Sequence, residues 1–253
     1  MQYTLKKSLG QHFLKDDNIS RNIVTALTRH QITNLLEIGP GGGALTKFLL
    51  QLNNINFKAI EFDFEKVEYL LHTYPSLNGR LIHEDFLKAS MPFEDDFAVV
   101  GNFPYNISSQ ILFKILEWKE HVPLVIGMFQ KEVAQRIASK PNTKVYGILS
   151  VLIQAFYNVD YLFDVPPAAF NPPPKVMSGV IQLTLKKEPL NASSKENFFL
   201  LVKTAFNQRR KKMRNAVRNL FNEDILQAGI FDKRAEQLNI EEFAALTFKM
   251  NKL

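Results

Sequence analysis

Leu35-Leu36-Glu37-Ile38-Gly39-Pro40-Gly41-Gly42-Gly43-Ala44 is the stretch that decides how this chain is built. Its first five residues are a short apolar run of the kind that forms a buried strand. From Ala44 to Leu52 the pattern becomes helical, with Leu45, Phe48, Leu49 and Leu52 on one face. Glycines between a strand and a helix let the backbone turn tightly and approach a ligand without interference from Cβ. Outward from this unit the alternation repeats. Phe57–Glu61 reads as a strand, and a helix near Phe64–His72 stops before Pro75. Arg80–His83 and Phe97–Gly101 are further strands, followed by a helix from about Ser108 to Trp118 and a strand at Leu124–Phe129. Strand–helix alternation of this kind predicts right-handed crossovers and an α/β, doubly wound, mostly parallel sheet.

Tyr161–Val165 and Val176–Lys186 read as a closing pair of strands. Between them runs Pro166-Pro167-Ala168-Ala169-Phe170-Asn171-Pro172-Pro173-Pro174, which proline preorganises into a rigid loop without regular structure. From Pro189 the pattern is helical only, with a break near Gly229. The expected domains are therefore residues 1–188 and a small all-α domain at 189–253.

With 253 residues, 46% of them hydrophobic, the chain can bury a substantial core. It has no cysteine, which excludes disulfides, thiolate metal sites and cysteine nucleophiles and fits a reducing compartment. Met1–Lys7 has no apolar core like that of a signal peptide, and no apolar run reaches membrane-spanning length. A cytoplasmic monomer without a membrane partner is expected. His30, His72, His83 and His121 lack metal-ligand spacing, so no metal is expected either, and Trp118 reads as core. The net charge is +6, and residues 191–253 hold twelve Lys/Arg against seven Asp/Glu, which is +5 of it. Seven basic residues and no acid fall between Lys203 and Arg218, the footprint of a polyanion partner or of a solvated helix face.

The strand ends carry the chemistry, because ligands of open α/β sheets bind there. Gly39, Gly41 and Ala44 satisfy G-x-G-x-x-G/A, so a nicotinamide dehydrogenase is one reading of the loop. Glu61 ends the second strand, 22 residues after Gly39, where an acid accepts hydrogen bonds from ribose hydroxyls. Asp85 follows the third strand and suits an adenine amine, with Phe86 covering the ring. The fourth strand ends in Asn102-Phe103-Pro104-Tyr105: a side-chain amide, a backbone carbonyl freed by proline geometry and an aromatic face. That set grips an exocyclic amine on a flat base. A dehydrogenase leaves it idle; S-adenosylmethionine, with its methyl aimed at this strand end, uses all four. The fold is therefore expected to be a Rossmann-like class I S-adenosylmethionine-dependent methyltransferase sheet.

On these motifs the sequence resembles the ribosomal RNA adenine N6-dimethyltransferases over nearly its whole length, and most closely the type acting on small-subunit (16S) rRNA. Gln11-His12-Phe13-Leu14 resembles the family's segment that folds over the cofactor, and Gln130–Val133, Tyr146–Ser150, Val165–Pro167, Phe170 and Pro172–Val176 follow in order. The resemblance makes His12, Leu14, Gly39, Glu61, Asp85 and Asn102 cofactor contacts, alongside Gly41 and Phe86 from the loop and strand reading. Phe103 stands where Leu is usual and is expected to pack rather than react. Ala205–Lys212 matches the family's basic helix, which makes Arg209, Arg210, Lys211, Lys212 and Arg214 the expected RNA contacts; Lys6 and Lys7 are candidates for phosphates as well.

The implied activity is dimethylation of N6 on two adjacent adenosines in a hairpin loop near the 3′ end of small-subunit rRNA, during subunit assembly. Asn102 Oδ1 and the Pro104 carbonyl each accept an N6 proton, pointing the nitrogen lone pair at the methyl. Tyr105 and Phe170 are expected to sandwich the base out of its stack. Room for a second methyl is implied by the resemblance alone. Large-subunit rRNA or DNA adenine methylation, and a non-catalytic rRNA-binding role, are the alternatives.

Overall fold

The computed structural model describes residues 12–251; Lys6, Lys7 and Gln11 lie outside them. The chain divides into two compact units, Met1–Ala134 with Asp160–Leu185, and Gln135–Val159 with Lys186–Leu253.

The first unit opens with β1 (Phe13–Leu14), α1 (Asp17–Thr28) and β2 (Asn34–Ile38). Then come α2 (Thr46–Leu49), β3 (Asn56–Glu61), α3 (Phe64–Thr73), β4 (Leu81–His83) and β5 (Phe97–Asn102). After α4 (Ser108–Glu117) and β6 (Leu124–Gln130), the chain leaves within α5 (Lys131–Ile137) and returns within β7 (Tyr157–Val165). β8 (Phe170–Asn171) and β9 (Ser178–Leu185) complete it. Seven strands form one sheet in the order β4-β3-β2-β5-β6-β9-β7. The pairs from β4 to β6 are parallel, and β9 joins β6 antiparallel. The expected doubly wound sheet is present, with a reversed strand next to its edge.

All five residues of β2 are buried, as a central parallel strand covered on both faces requires. Its one amide does not stay unpaired there: Asn34 Nδ2 donates to the Asp96 carbonyl at 3.0 Å, and its Oδ1 accepts from Asn56. α1 is set by Asp16, whose carboxylate accepts from the backbone of Asn18, and buries Ile23, Val24 and Leu27 against the sheet. Two expectations need correction. The helix after the glycine loop starts at Thr46 rather than Ala44, because the loop closes a turn of its own, Gly43 N to Pro40 O, at 2.8 Å. The proline loop is not wholly irregular: its Phe170–Asn171 pairs antiparallel with Phe13–Leu14, forming a separate two-stranded ribbon.

The ring of Phe103 lies across two adjacent strands. Gly101 of β5 and Gly127 of β6 face each other in register. A Cβ on Gly101 would stand 2.6 Å from the Phe103 ring, and one on Gly127 2.5 Å from it. Phe129 packs edge-on against the same ring, centroids 5.1 Å apart. The aromatic at 103 is accommodated by two absent side chains.

The second unit is helical: α6 (Ile148–Gln154), α7 (Lys195–Asn207), α8 (Met213–Ala216), α9 (Glu223–Leu226) and α10 (Ile240–Thr247), joined by single turns. Phe198, Leu201, Val202, Phe231 and Phe243 are buried in it, and Phe206 packs against both Tyr146 and Phe243. The boundary expected near 188 falls three residues beyond Leu185, but residues 135–159, expected in the first domain, cluster with the helices. Gln154 holds that segment together, donating to the Ile137 and Ser139 carbonyls at 2.7 and 2.8 Å.

Gly127→Ala should lower stability by about 1–3 kcal/mol, the usual cost of forcing a methyl into a filled core. Chemical denaturation checks this; an unchanged midpoint would show that Phe103 can shift without strain.

Candidate active site

The parallel register brings the ends of β2, β3, β4 and β5 to one side of the sheet, and a cavity of about 510 Å³ opens there. His12, Leu14, Gly39, Gly41, Glu61, Asp85, Phe86 and Asn102 all line it. Gly39, Gly41 and Gly43 take positive φ values of 65°, 56° and 81°, a region that side chains disfavour. At Gly41 the space is also taken: a Cβ would lie 2.9 Å from the Phe13 ring.

Besides Glu84, three carboxylates line this cavity. Glu61 accepts from Gly41 N at 3.0 Å and from Asp63 N at 2.9 Å, so it ties the glycine loop to the end of β3. A carboxylate offers about four acceptor sites, which leaves room for hydroxyl donors as well. Burial raises its pKa despite those two bonds. Asp85 Oδ1 caps its own turn by accepting from Leu87 N at 3.0 Å. Beside it Phe86 is buried, edge-on to Trp118 at 5.2 Å, which places the tryptophan in the core as expected. Glu37, to which the sequence pattern assigned no role, is the third. Only 2% exposed, it accepts from Thr46 Oγ1 at 2.7 Å, and burial pushes its pKa up to about 8. An acid inside an otherwise apolar strand was the available signal.

At the end of β5, Asn102 Nδ2 donates to the His12 carbonyl at 3.1 Å. With the nitrogen engaged, Oδ1 is the atom left to accept a proton from a ligand. Pro104 corrects an expectation: its carbonyl is not free, because it accepts Ile107 N at 3.2 Å in the turn that leads into α4. One lone pair of that oxygen remains for a second donor. Tyr105 lines the cavity with its Oη 2.5 Å from Ser178 Oγ, and burial raises the phenol's pKa, keeping it neutral. Phe170 is not where a base could be sandwiched. It is 1% exposed, pairs with Leu14 across the ribbon and does not line the cavity. The aromatic stacked on Tyr105 is His12, centroids 5.5 Å apart.

In the second unit the basic cluster is partly neutralised. Lys212 and Arg214 share Asp232 at 2.9 and 2.7 Å, and Lys212 holds that carboxyl below its ordinary range. Arg209 donates to the Lys144 carbonyl and lies 3.7 Å from Glu236. Among the described residues, exposed Arg210, Lys211 and Arg218 meet no acid. Lys211 and Arg218 border a polar groove of about 500 Å³ with Asn207, Gln208, Asn215 and Asn219.

A glycine loop, strand-end acids and an Asn-x-Pro-Tyr turn on this sheet define a class I methyltransferase fold. Solved structures agree: a dimethyladenosine transferase from Plasmodium falciparum superimposes with a TM-score of 0.77 at 24% identity, over 92% of this chain and 94% of that one. A 23S rRNA methyltransferase, ErmE, gives 0.67 at 25% identity, over 92% and 99%. The family described as ribosomal RNA adenine dimethylase matches residues 2–251, and the chain belongs to it. Relatives named ribosomal RNA small subunit methyltransferase A are 51% identical in Cytophaga hutchinsonii, over 96% of this chain and 95% of that protein. In Flavobacterium johnsoniae the identity is 52%, over 97% and 95%.

Glu37 generates a pH effect of definite sign. Its folded pKa lies above the ordinary value of 4.5, so the folded ligand-free protein holds a proton that the unfolded chain has released. That contribution is complete below pH 4.5 and fades as pH rises through about 8. Glu37→Gln should flatten the fall in Tm across this window. Parallel wild-type and variant melting curves over the same pH range would rule the effect out.

Proposed function

We propose that this protein transfers methyl groups from S-adenosylmethionine to N6 of adenosines in small-subunit rRNA, twice on each nitrogen. Family membership and relatives of about half identity support the reaction and the substrate. The observation that carries the site is Asn102, whose nitrogen is fixed by the His12 carbonyl and whose oxygen is left for the amine. It acts as a cytoplasmic monomer on the small subunit or its precursor rRNA.

The cavity fits the cofactor by shape and charge. Drug-sized ligands occupy roughly 300–1,000 Å³, and Gly39, in the lining, leaves open space where a Cβ would stand. Glu61 suits ribose hydroxyls, Asp85 and Phe86 an adenine, and the acids of the lining, Glu37 once it gives up its proton, a cation. When bound, S-adenosylmethionine supplies an electrophilic methyl group. The protein's share is to orient the amine: Asn102 Oδ1 and the remaining lone pair of the Pro104 carbonyl accept its two protons, turning the nitrogen lone pair toward the cavity. Tyr105, held by Ser178, offers a flat face to the base. Asn102→Ala should reduce methyl transfer by about 100- to 1,000-fold, as loss of one preorganised dipole does. Labelled S-adenosylmethionine with immature small subunits measures it. Near-normal turnover would refute the role, and dimethyladenosine made in mature large subunits would move the substrate.

For RNA, the cations without acid partners carry the reading: Arg210, Lys211 and Arg218, rather than Arg209, Lys212 and Arg214. Lys211→Gln with Arg218→Gln should lower the salt slope of rRNA binding by about two, near one for each phosphate no longer neutralised. Lys212→Gln should change it far less. The reverse ranking in filter binding would return RNA recognition to the Asp232-paired residues.

A further inference from the structure

His12 touches three separate parts of the site. Its ring lies over Tyr105 with planes 30° apart and centroids 5.5 Å apart. Its Nδ1 lies 2.8 Å from the Pro172 carbonyl oxygen and so carries the proton that bridges them. Its own carbonyl accepts from Asn102. The strap around it is held elsewhere: Phe13 and Leu14 pair with Asn171 and Phe170, Lys15 N donates to the Ala169 carbonyl at 2.8 Å, and the Phe13 ring sits against Gly41. Once it gives up its one hydrogen bond, to the Pro172 carbonyl, the imidazole can swing about its own side-chain bonds while the strap and its carbonyl stay in place.

Stacked groups touch at about 3.5 Å, so a base between two rings needs roughly 7 Å. The 5.5 Å separation of His12 and Tyr105 does not admit one. Tyr105 is anchored through Ser178, and Phe170 is buried away from the cavity. The ring able to move is the histidine.

We propose that the His12 imidazole is a place-holder for the target adenine. It covers the face of Tyr105 on which the extruded base stacks and leaves when the base arrives, while the His12 carbonyl keeps the Asn102 amide aimed. This rests on the adenine-directed reading above. His12 is thus a positioning residue that sets how readily RNA completes the site, and base entry competes with an internal ring of the protein.

The test uses the full chain, saturating cofactor product and rRNA carrying 2-aminopurine at the target adenine, whose fluorescence rises on unstacking. Methylation kinetics are measured with unmodified RNA. His12→Ala empties the seat and should raise the bound fluorescence and lower the KM for RNA about two- to tenfold, the cost of separating one stacked pair. His12→Phe refills the seat with a ring and should raise KM instead; opposite shifts from one position are not produced by a weakened fold. Lower fluorescence with His12→Ala would overturn the proposal, since the ring would then be the base's second wall. Unchanged KM and fluorescence in both variants would overturn it as well. If the wild type neither methylates this RNA nor unstacks its probe, the adenine-directed reading itself falls.

Discussion

Parallel strands align their ends only when their register is held, and this site depends on that alignment. Leu36 of β2 stands between Lys58 of β3 and Val99 of β5, which sets the glycine loop, Glu61 and Asn102 side by side where the strands stop. A slip of one residue would turn every side chain to the other face of the sheet. It would also move Asn102 out of line with the glycine loop and Glu61. The slip is resisted by packing, because β2 and the first five residues of β5 are buried throughout and each side chain fills a place of its own. The glycine loop is tied to the same edge through Glu61, so the ligand-facing backbone and the sheet form one rigid piece.

Much of this was legible in the sequence for a physical reason. The apolar runs and 3.6-residue periodicities of residues 35–130 are local signals, and the structure follows them within a residue or two except at the helix after the glycine loop, which ends at Leu49 rather than Leu52. The cavity-lining residues Gly39, Gly41, Glu61, Asp85 and Asn102 were equally legible, because each sits at or just after a strand end, whereas His12 and Leu14 rested on the family resemblance alone. Pairings between distant parts of the chain were not. Nothing near Phe170 shows that Leu14, far earlier in the chain, will cover it, and nothing near Pro104 shows that Ile107 will claim its carbonyl. The expected charge cluster failed in the same way. Lys212 and Arg214 look unopposed within their own stretch, and the acid that neutralises them, Asp232, arrives only through the fold.

The second unit keeps its positive charge selective. A single aspartate engages two cations, a glutamate and a backbone carbonyl engage a third, and two of the remainder stand at a groove rich in amides. Paired cations are held in place and largely discharged, so they contribute shape. Unpaired ones retain their field and reach phosphate at longer range. A dense run of basic residues in a chain is therefore not a row of equal phosphate ligands.

Phe103 carries a consequence for how such a chain can change. Its ring occupies volume surrendered by Gly101 and Gly127 on two neighbouring strands, so three positions share one packing solution. Leucine at 103 would leave part of this slot unfilled, and a methyl on either glycine would collide with the present ring. A methyl cannot simply take the vacated volume, because at Gly101 it would also stand 2.7 Å from the Ile38 carbonyl oxygen and at Gly127 2.7 Å from the Phe129 ring. The residue at 103 is thereby tied to two glycines lying wholly within the sheet, where a comparison of active-site residues alone would not find the link.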